Sequence, residues 1–231
     1  KDVYTKFKTY VIDNRIEKED ILKELLELSK IYSNLIKSSF QDLEINYYLK
    51  QFNLINVNTI WPFMLHLFVD YQNQKIELDT LKKCIILMRN HLVRAIIVSP
   101  KGIKEWNKFY PILYNRTISN IQNNDNYFDS IASYLIYEKA NTNRRFANDY
   151  EFEKALLEDK IINTNKVIAN LILFEIEKTV NCNNYLLEEY TNYKLEHILP
   201  LKRQKQWEEE IGINSYSQTI EKYGSTLGNL T

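Results

Sequence analysis

The chain has 231 residues, of which 45% are hydrophobic, so it is long enough to bury a sizeable core. Thirty basic and thirty acidic residues give a net charge of zero, which excludes a uniformly basic nucleic-acid-coating protein and leaves only a local patch as a DNA site. The two cysteines, Cys84 and Cys182, form no CxxC pair, which excludes a disulfide framework and a cysteine zinc site.

The N-terminal run KDVYTKFKTYVIDN has no initiator methionine and no apolar core of the kind that a signal peptide carries. We therefore expect the chain to be a fragment of a longer protein. No stretch of about 18 consecutive apolar residues occurs, so no membrane span is predicted. Together with the cysteine usage, this indicates a cytoplasmic protein.

Helix breakers are rare over the first 190 residues, where Gly102, Pro62, Pro100 and Pro111 are the only glycine and prolines. The spacing of apolar residues predicts helices over 19–40, with Asp20 as its cap, over 59–71, and over 79–98, ended by Ser99–Gly102. It predicts further helices near 105–115, 126–140, 149–160 and 165–179, with Asn148 or Asp149 as a cap. The sequence thus predicts a mainly α protein with a multi-helix domain over residues 1–190.

The pattern changes after Asn184. The stretch YKLEHIL alternates apolar and polar residues as a strand does, and a short helical pattern and a glycine-bearing loop follow it. Three of the four glycines fall in this last part of the chain. We expect residues 191–231 to form a small module of their own.

One stretch of this module, YKLEHILPLKRQKQW, carries residues suited to chemistry. Glu196 and His197 are adjacent, and Lys202, Arg203 and Lys205 follow closely. Hydrolysis of a phosphodiester needs a base to activate water, and a histidine can serve near neutral pH. It also needs stabilisation of the phosphorane and of the leaving oxygen, which one divalent metal with oxygen ligands can supply. The three basic residues are candidate phosphate contacts.

Several motifs resemble a known family. LEHILP, Trp207 and LGNLT are similar to the HNH-like, His-Me finger nuclease domain at the C-terminus of GmrSD-type modification-dependent restriction endonucleases and related phage-defence proteins. LVRAII, RRFANDYEFEKAL and KVIANLILFEIEK resemble the helical region that precedes that domain. The resemblance implies a ββα-type module after the helical domain. It also implies a restriction or anti-phage endonuclease that cleaves double-stranded DNA, plain or modified, with Mg²⁺ or another divalent metal.

The resemblance also implies a role for each matching residue. His197 takes the position of the general base, and Glu196 takes the acidic position that can ligate the metal. Asn229 matches the central asparagine of the HNH pattern, which fixes the loop that carries the base.

Two parts of the family pattern are not found in this sequence. A final helix with an Asn or His near the metal would follow Thr231, and an N-terminal ParB-like domain would precede the helices. In addition, Arg94-Ala95 stands where the family often has paired arginines. We therefore expect an incomplete module, truncated at its C-terminus, and an impaired fragment of a parent protein whose other domains complete the enzyme.

The geometry of a strand opposes one simple interpretation of the Glu-His pair. Neighbouring strand residues point to opposite faces, so a regular strand cannot direct both Glu196 and His197 at one metal. Either the strand ends or bulges there, or Glu196 supports a ligand without touching the metal. Taken alone, His197 also suits a histidine bonded to backbone, and Asn229 suits a turn residue.

Other polar residues have structural explanations as well. The basic residues after His197 can belong to a solvated loop, because Glu208–Glu210 offset their charge. Arg144 and Arg145 can pair with acids on neighbouring helices instead of contacting DNA. Core or boundary positions are expected for His66, His91, Met64 and Met88, and for most of the seventeen tyrosines.

Two other functions remain open from the sequence. The chain can be a non-catalytic helical interaction or regulatory domain in which the nuclease motif is degenerate. It can also be a DNA-binding module without cleavage, whose affinity would fall steeply with salt while metal has no effect. The sequence does not indicate the oligomeric state.

Overall fold

The computed structural model describes residues 2–99, 106–119, 126–139, 142, 144–158, 165–180 and 194–231. Within these ranges the protein is mainly helical, as the apolar spacing predicts, with eleven α-helices and no strand. The predictions that concern Cys182, Pro100–Gly102 and the boundary between residues 190 and 191 fall outside the described residues.

Three helices form the N-terminal part: α1 (Asp2–Asp13), α2 (Lys18–Lys37) and α3 (Leu43–Ile55). The predicted cap of α2 is wrong, because Glu17 occupies the N-cap position and Asp20 lies inside the first turn. A true cap begins α3, where the Asp42 carboxylate accepts hydrogen bonds from the backbone N–H of Glu44 (2.9 Å) and Ile45 (3.0 Å).

The centre of the core is built by α4 (Trp61–Gln72) and α5 (Leu78–Val98), which are followed by α6 (Trp106–Thr117). Helix α5 packs against α3 and α4 and against the later helices Tyr127–Ser133 and Asp149–Glu158. It therefore buries side chains on several faces. Met64 and Met88 are fully buried, which confirms the prediction that they fill the core.

Two more helices pack against α5. They are α7 (Tyr127–Ser133), which continues into a π-helical segment (Tyr134–Glu138), and α8 (Asp149–Glu158). The predicted cap of α8 is confirmed. The Asn148 Oδ1 accepts from the Glu151 N–H (2.9 Å), and the Glu151 carboxylate accepts from the Asn148 N–H (3.1 Å). Such a reciprocal pair satisfies two amides that a helix start leaves unpaired.

Helix α9 (Lys166–Val180) packs against α3 and is fixed by one polar cluster. The Glu175 carboxylate accepts from Arg89 (3.0 Å), from the Gln51 amide (3.0 Å) and from the Tyr47 hydroxyl. Gln51 is fully buried, so this cluster satisfies polar groups that would otherwise destabilise the fold.

The C-terminal segment contains two short helices, α10 (Lys205–Ile211) and α11 (Ile213–Tyr223), and a 3₁₀ turn (Leu227–Asn229). The predicted strand in YKLEHIL is wrong for the described part of that stretch, which forms one isolated antiparallel bridge, between His197 and Leu230. No ββα sheet is present in the described residues. Leu195, Leu227 and Leu230 pack against the main core, so this segment shares its hydrophobic cluster.

Candidate functional site

The candidate site is built on the pairing of residues 196–198 with residues 229–231. The Glu196 and Thr231 backbones exchange two hydrogen bonds (2.9 and 3.0 Å), and the Ile198 N–H donates to the Asn229 carbonyl (2.9 Å). These bonds flank His197, which lies opposite Leu230. The two sequence motifs, LEHILP and LGNLT, therefore meet in space.

This pairing assigns the side chains of Glu196 and His197 to opposite faces, because successive residues of extended chain alternate. The burial pattern agrees. Lys194, Glu196 and Ile198 are exposed, whereas Leu195 and Leu199 are covered on the other side. His197 shares the covered side and is half-buried.

Asn229 is buried and holds the turn that follows His197. Its Oδ1 accepts from the Leu199 N–H (2.7 Å), and its Nδ2 donates to the Leu199 carbonyl (3.0 Å) and the Gly224 carbonyl (3.0 Å). The Asn229 N–H is itself engaged by Thr226 in the 3₁₀ turn (3.2 Å). The ladder therefore stops after Ile198, which explains why the alternating pattern yields a bridge and not a strand.

Tyr216 of α11 supports the same turn from the other side and was not predicted as a site residue. Its ring is fully buried, and its hydroxyl lies 2.7 Å from the Pro200 carbonyl and 3.2 Å from the Lys202 carbonyl. The signal in the sequence is the helical spacing of Tyr216 and Ile220, which marks the inward face of α11.

The His197 ring has one unusual feature. Its Nε2 atom is shielded from solvent and makes no hydrogen bond within the described ranges of the chain. A shielded polar atom without a partner costs about 1–3 kcal/mol, so it calls for an explanation. The alternative prediction, a histidine bonded to backbone, is not met at Nε2 by any residue in the part of the chain that the structure describes.

The basic residues after His197 differ in their surroundings. Lys202 and Lys205 are exposed, and so is Arg203. The Arg203 guanidinium, however, donates to the Ser217 hydroxyl (2.8 Å) and lies 3.4 Å from the Glu208 carboxylate. Arg203 therefore ties the start of α10 to α11, while the two lysines extend into solvent.

A multidentate metal site is not formed by the described residues alone. Among them, no three or more His, Cys, Asp or Glu side chains are grouped closely enough to hold a metal ion. Glu196 offers an exposed carboxylate, which suits Mg²⁺, because this ion commonly binds one or two carboxylates together with water and substrate phosphates. The described residues thus offer one candidate ligand and not a preformed cage.

Helix α8 packs against the turn that carries Asn229, and α5 holds the start of α8. The Arg94 guanidinium lies between the rings of Phe146 (5.1 Å) and Phe152 (4.9 Å), donates to the Ala147 carbonyl (2.9 Å) and pairs with Asp149 (2.5 Å). This arrangement connects the central helix of the core to the candidate site.

The adjacent arginines Arg144 and Arg145 lie just before α8. Arg145 pairs with Glu151 of α8, as the structural explanation predicts. The Arg144 carbonyl accepts a hydrogen bond from the buried His91 (2.9 Å). His66, by contrast, is exposed on α4, where it stacks on the Tyr114 ring at 4.2 Å.

Residues 146–231 match the family model described as GmrSD restriction endonucleases, C-terminal domain. Over these residues the chain is similar to that domain. No curated protein and no solved structure matches the chain. The resemblance drawn from the C-terminal motifs is thereby confirmed, whereas LVRAII on α5 lies outside the matched residues.

The matched residues include α8 to α11 and the whole of the candidate site. The match begins at Phe146, whose ring lies against the Arg94 guanidinium. The predicted division at residue 190 stays a prediction. None of the described helices is long and apolar enough to cross a membrane.

Proposed function

We propose that this chain is part of a metal-dependent endonuclease that hydrolyses phosphodiester bonds of double-stranded DNA in restriction or anti-phage defence. The GmrSD C-terminal domain supports the restriction-endonuclease class. The observation that carries the proposal is the pairing of His197 with the segment whose Asn229 fixes the turn behind it. A histidine followed by a loop-fixing asparagine is the order that the resemblance implies for a nuclease site.

In this proposal His197 is the general base. Its Nε2 is engaged by none of the described residues but is shielded from solvent, so the segment around the half-buried ring must open to admit the attacking water whose proton it accepts. General base catalysis contributes about 10²–10⁴-fold to a rate, which sets the size of the expected effect.

Mg²⁺ or a similar divalent ion is the proposed cofactor, and Glu196 is its proposed ligand. The carboxylate is exposed on the face of the bridge opposite His197, so this role requires Glu196 to turn towards the His197 side, where phosphate oxygens can complete the coordination. When bound, the metal would neutralise charge on the phosphate and stabilise the leaving oxygen. Asn229 takes no part in the chemistry and positions the turn after His197.

Lys202, Arg203 and Lys205 are the proposed DNA contacts. The two lysines are exposed and follow the site directly, so they can meet phosphates on either side of the cleaved bond. Arg203 must leave Ser217 or Glu208 to do the same, so we expect it to contribute less than either lysine.

The test is cleavage of double-stranded plasmid DNA, with magnesium or with a chelator, by the longest natural polypeptide that contains residues 1–231. His197→Ala should slow cleavage by at least about 100-fold. The matched control is His66→Ala, which removes an exposed histidine from α4 and should leave the rate unchanged. Equal cleavage by the wild type and His197→Ala would remove His197 from the mechanism.

A second candidate is a non-catalytic regulatory or DNA-binding domain, and the inward direction of His197 favours it. A histidine on the covered side, with Nε2 shielded, can belong to a degenerate site. This candidate predicts no cleavage with any metal. If DNA binds without cleavage, its affinity should fall steeply with salt and should not respond to magnesium.

A further inference from the structure

The turn that follows His197 is held by side chains and not by backbone pairing. Residues 199–203 make no backbone–backbone hydrogen bond within the part of the chain that the structure describes. The Asn229 side chain takes both backbone groups of Leu199, which leaves residues 200–203 to other partners. Without such partners an irregular segment samples many conformations, and selecting one of them costs entropy.

Tyr216 of α11 supplies the bonds for this remaining stretch. Its ring is fully buried, and its hydroxyl lies 2.7 Å from the Pro200 carbonyl and 3.2 Å from the Lys202 carbonyl. A hydroxyl has one hydrogen to donate, so the two carbonyls share it and the shorter bond goes to Pro200. Because both carbonyls turn towards one buried oxygen, Tyr216 fixes the course of the backbone from Pro200 to Lys202.

The next residue of α11 acts on the neighbouring cation. The Ser217 hydroxyl accepts a hydrogen bond from the Arg203 guanidinium (2.8 Å), which also lies 3.4 Å from the Glu208 carboxylate. The Lys202 side chain, by contrast, is exposed and forms no ion pair with any described residue. Helix α11 therefore holds the backbone of Lys202 and the side chain of Arg203, and it leaves the Lys202 ammonium available to an anion from outside.

We propose that Tyr216 is a positioning residue for the DNA substrate, which acts by fixing the backbone of Lys202. This inference rests on the proposed function, in which Lys202 meets a DNA phosphate. A lysine whose backbone is already ordered loses less conformational entropy when it binds, so the affinity is higher. The bonds of Tyr216 reach the turn beyond Leu199 and not His197 itself, so the hydroxyl serves DNA affinity and not the chemical step.

The test is Tyr216→Phe in the longest natural polypeptide that contains residues 1–231, because this change keeps the buried ring and removes the hydroxyl. Binding to a short DNA duplex is measured by fluorescence anisotropy in a chelator, so that no cleavage occurs. We expect the dissociation constant to rise about three- to tenfold, the effect of losing one hydrogen bond. The plot of log affinity against log salt should become shallower by about one unit, the signature of one lost phosphate contact. The single-turnover rate at saturating DNA in magnesium should be unchanged.

Two controls separate positioning from a general loss of stability. Tyr127→Phe removes the hydroxyl of an equally buried tyrosine of α7, where Asp70 keeps two other partners, and it should leave DNA affinity and salt dependence unchanged. In a Lys202→Ala background, Tyr216→Phe should have no further effect on affinity. In a Lys205→Ala background it should keep its full effect, since α10 holds the backbone of Lys205.

The outcomes distinguish this inference from the proposed function. Equal effects of Tyr216→Phe in the two lysine backgrounds would overturn the inference and leave the proposed function standing. Normal affinity of Tyr216→Phe, where Lys202→Ala binds more weakly, would do the same, and so would a change confined to the single-turnover rate. A wild-type chain that binds no DNA, or a Lys202→Ala variant that binds as the wild type does, would contradict the proposed DNA contact and the inference with it.

Discussion

At the scale of single residues, Asn229 does most to define the candidate site. The backbone N–H and C=O of Leu199 both bond to its side chain, and the Gly224 carbonyl takes the remaining amide hydrogen. An asparagine amide offers an acceptor and two donors in one plane on a short side chain. The turn after His197 is therefore held by side-chain bonds in place of a continued β ladder.

Replacing Asn229 should loosen this turn without unfolding the helical core. Asn229→Ala leaves three buried backbone groups unpaired, and we expect a loss of about 2–4 kcal/mol in the stability of the C-terminal segment. Hydrogen exchange should show faster exchange of the Leu199 amide, while amides of α5 keep their protection. Asn229→Asp is the informative companion, because it keeps the acceptor for Leu199 but turns a carboxylate oxygen towards two carbonyls. Unchanged exchange at Leu199 in both variants would contradict the account.

The sequence identifies the residues of this site, but it does not show which of their side chains point towards the core. The order of LEHILP and LGNLT indicated that His197 and Asn229 come together, and the alternation rule separated Glu196 from His197. Which of the two faces the core depends on Leu195, Leu227 and Leu230 joining the hydrophobic cluster. That choice is made by packing between distant segments, which no local pattern reports.

At the scale of helices, the Arg94 contacts join α5 to the first turns of α8. The guanidinium lies between two aromatic rings and donates to the Ala147 carbonyl, and its side chain is 20% exposed. The pair with Asp149 adds little, because that carboxylate is 92% exposed. Ring stacking and the carbonyl bond therefore supply most of the stabilisation.

Arg94→Ala should destabilise the protein by about 2–3 kcal/mol, since it removes two ring contacts and a charged hydrogen bond. Arg94→Lys should recover only part of this, because an ammonium cannot stack as a planar guanidinium does. Urea unfolding measures both. Arg116→Ala, at an exposed arginine of α6, is the control and should change stability by less than about 0.5 kcal/mol. Equal effects of Arg94→Ala and Arg116→Ala would show that the stacking contributes nothing.

The apolar spacing predicted most of the helices, whereas the strand predicted in YKLEHIL does not form in the described residues. The apolar spacing that indicated helices over 59–71 and 79–98 is produced by burial on one side, and Trp61–Gln72 and Leu78–Val98 form accordingly. The alternation in YKLEHIL is real as well, since residues 194–199 do alternate in exposure. A strand also needs a partner segment with free backbone groups, and the Asn229 N–H is already bonded within its own turn.

At the scale of the whole molecule, His91 joins three parts of the fold. Its Nε2–H donates to the Arg144 carbonyl (2.9 Å) before α8, and its Nδ1 accepts from the Tyr110 hydroxyl of α6 (3.1 Å). The ring is fully buried on α5, and burial lowers the pKa of His91 from 6.5 to about 4. The neutral form is therefore the one that the folded protein holds.

This pKa makes stability depend on pH. Between about pH 4 and pH 6.5, His91 is protonated in the unfolded chain but neutral in the folded chain. The contribution of His91 to the free energy of unfolding is therefore fully present above pH 6.5. It falls as the pH drops towards 4, by about 1.4 kcal/mol per pH unit for one proton. Partial desolvation also lowers the pKa of His66, whose side chain is exposed, so His66 acts in the same direction with a smaller effect. Urea unfolding at several pH values should show a smaller slope for His91→Gln, and an unchanged slope would contradict this assignment.

We propose that His197 acts on DNA from a turn that Asn229 fixes. The most direct measurement is the single-turnover rate of plasmid cleavage in magnesium by the wild type and by His197→Ala, with both checked for folding by circular dichroism. If His197 is the general base, His197→Ala should cleave at a rate at least about 100-fold lower. Rates that agree within about threefold, a difference below 1 kcal/mol in activation free energy, would contradict it.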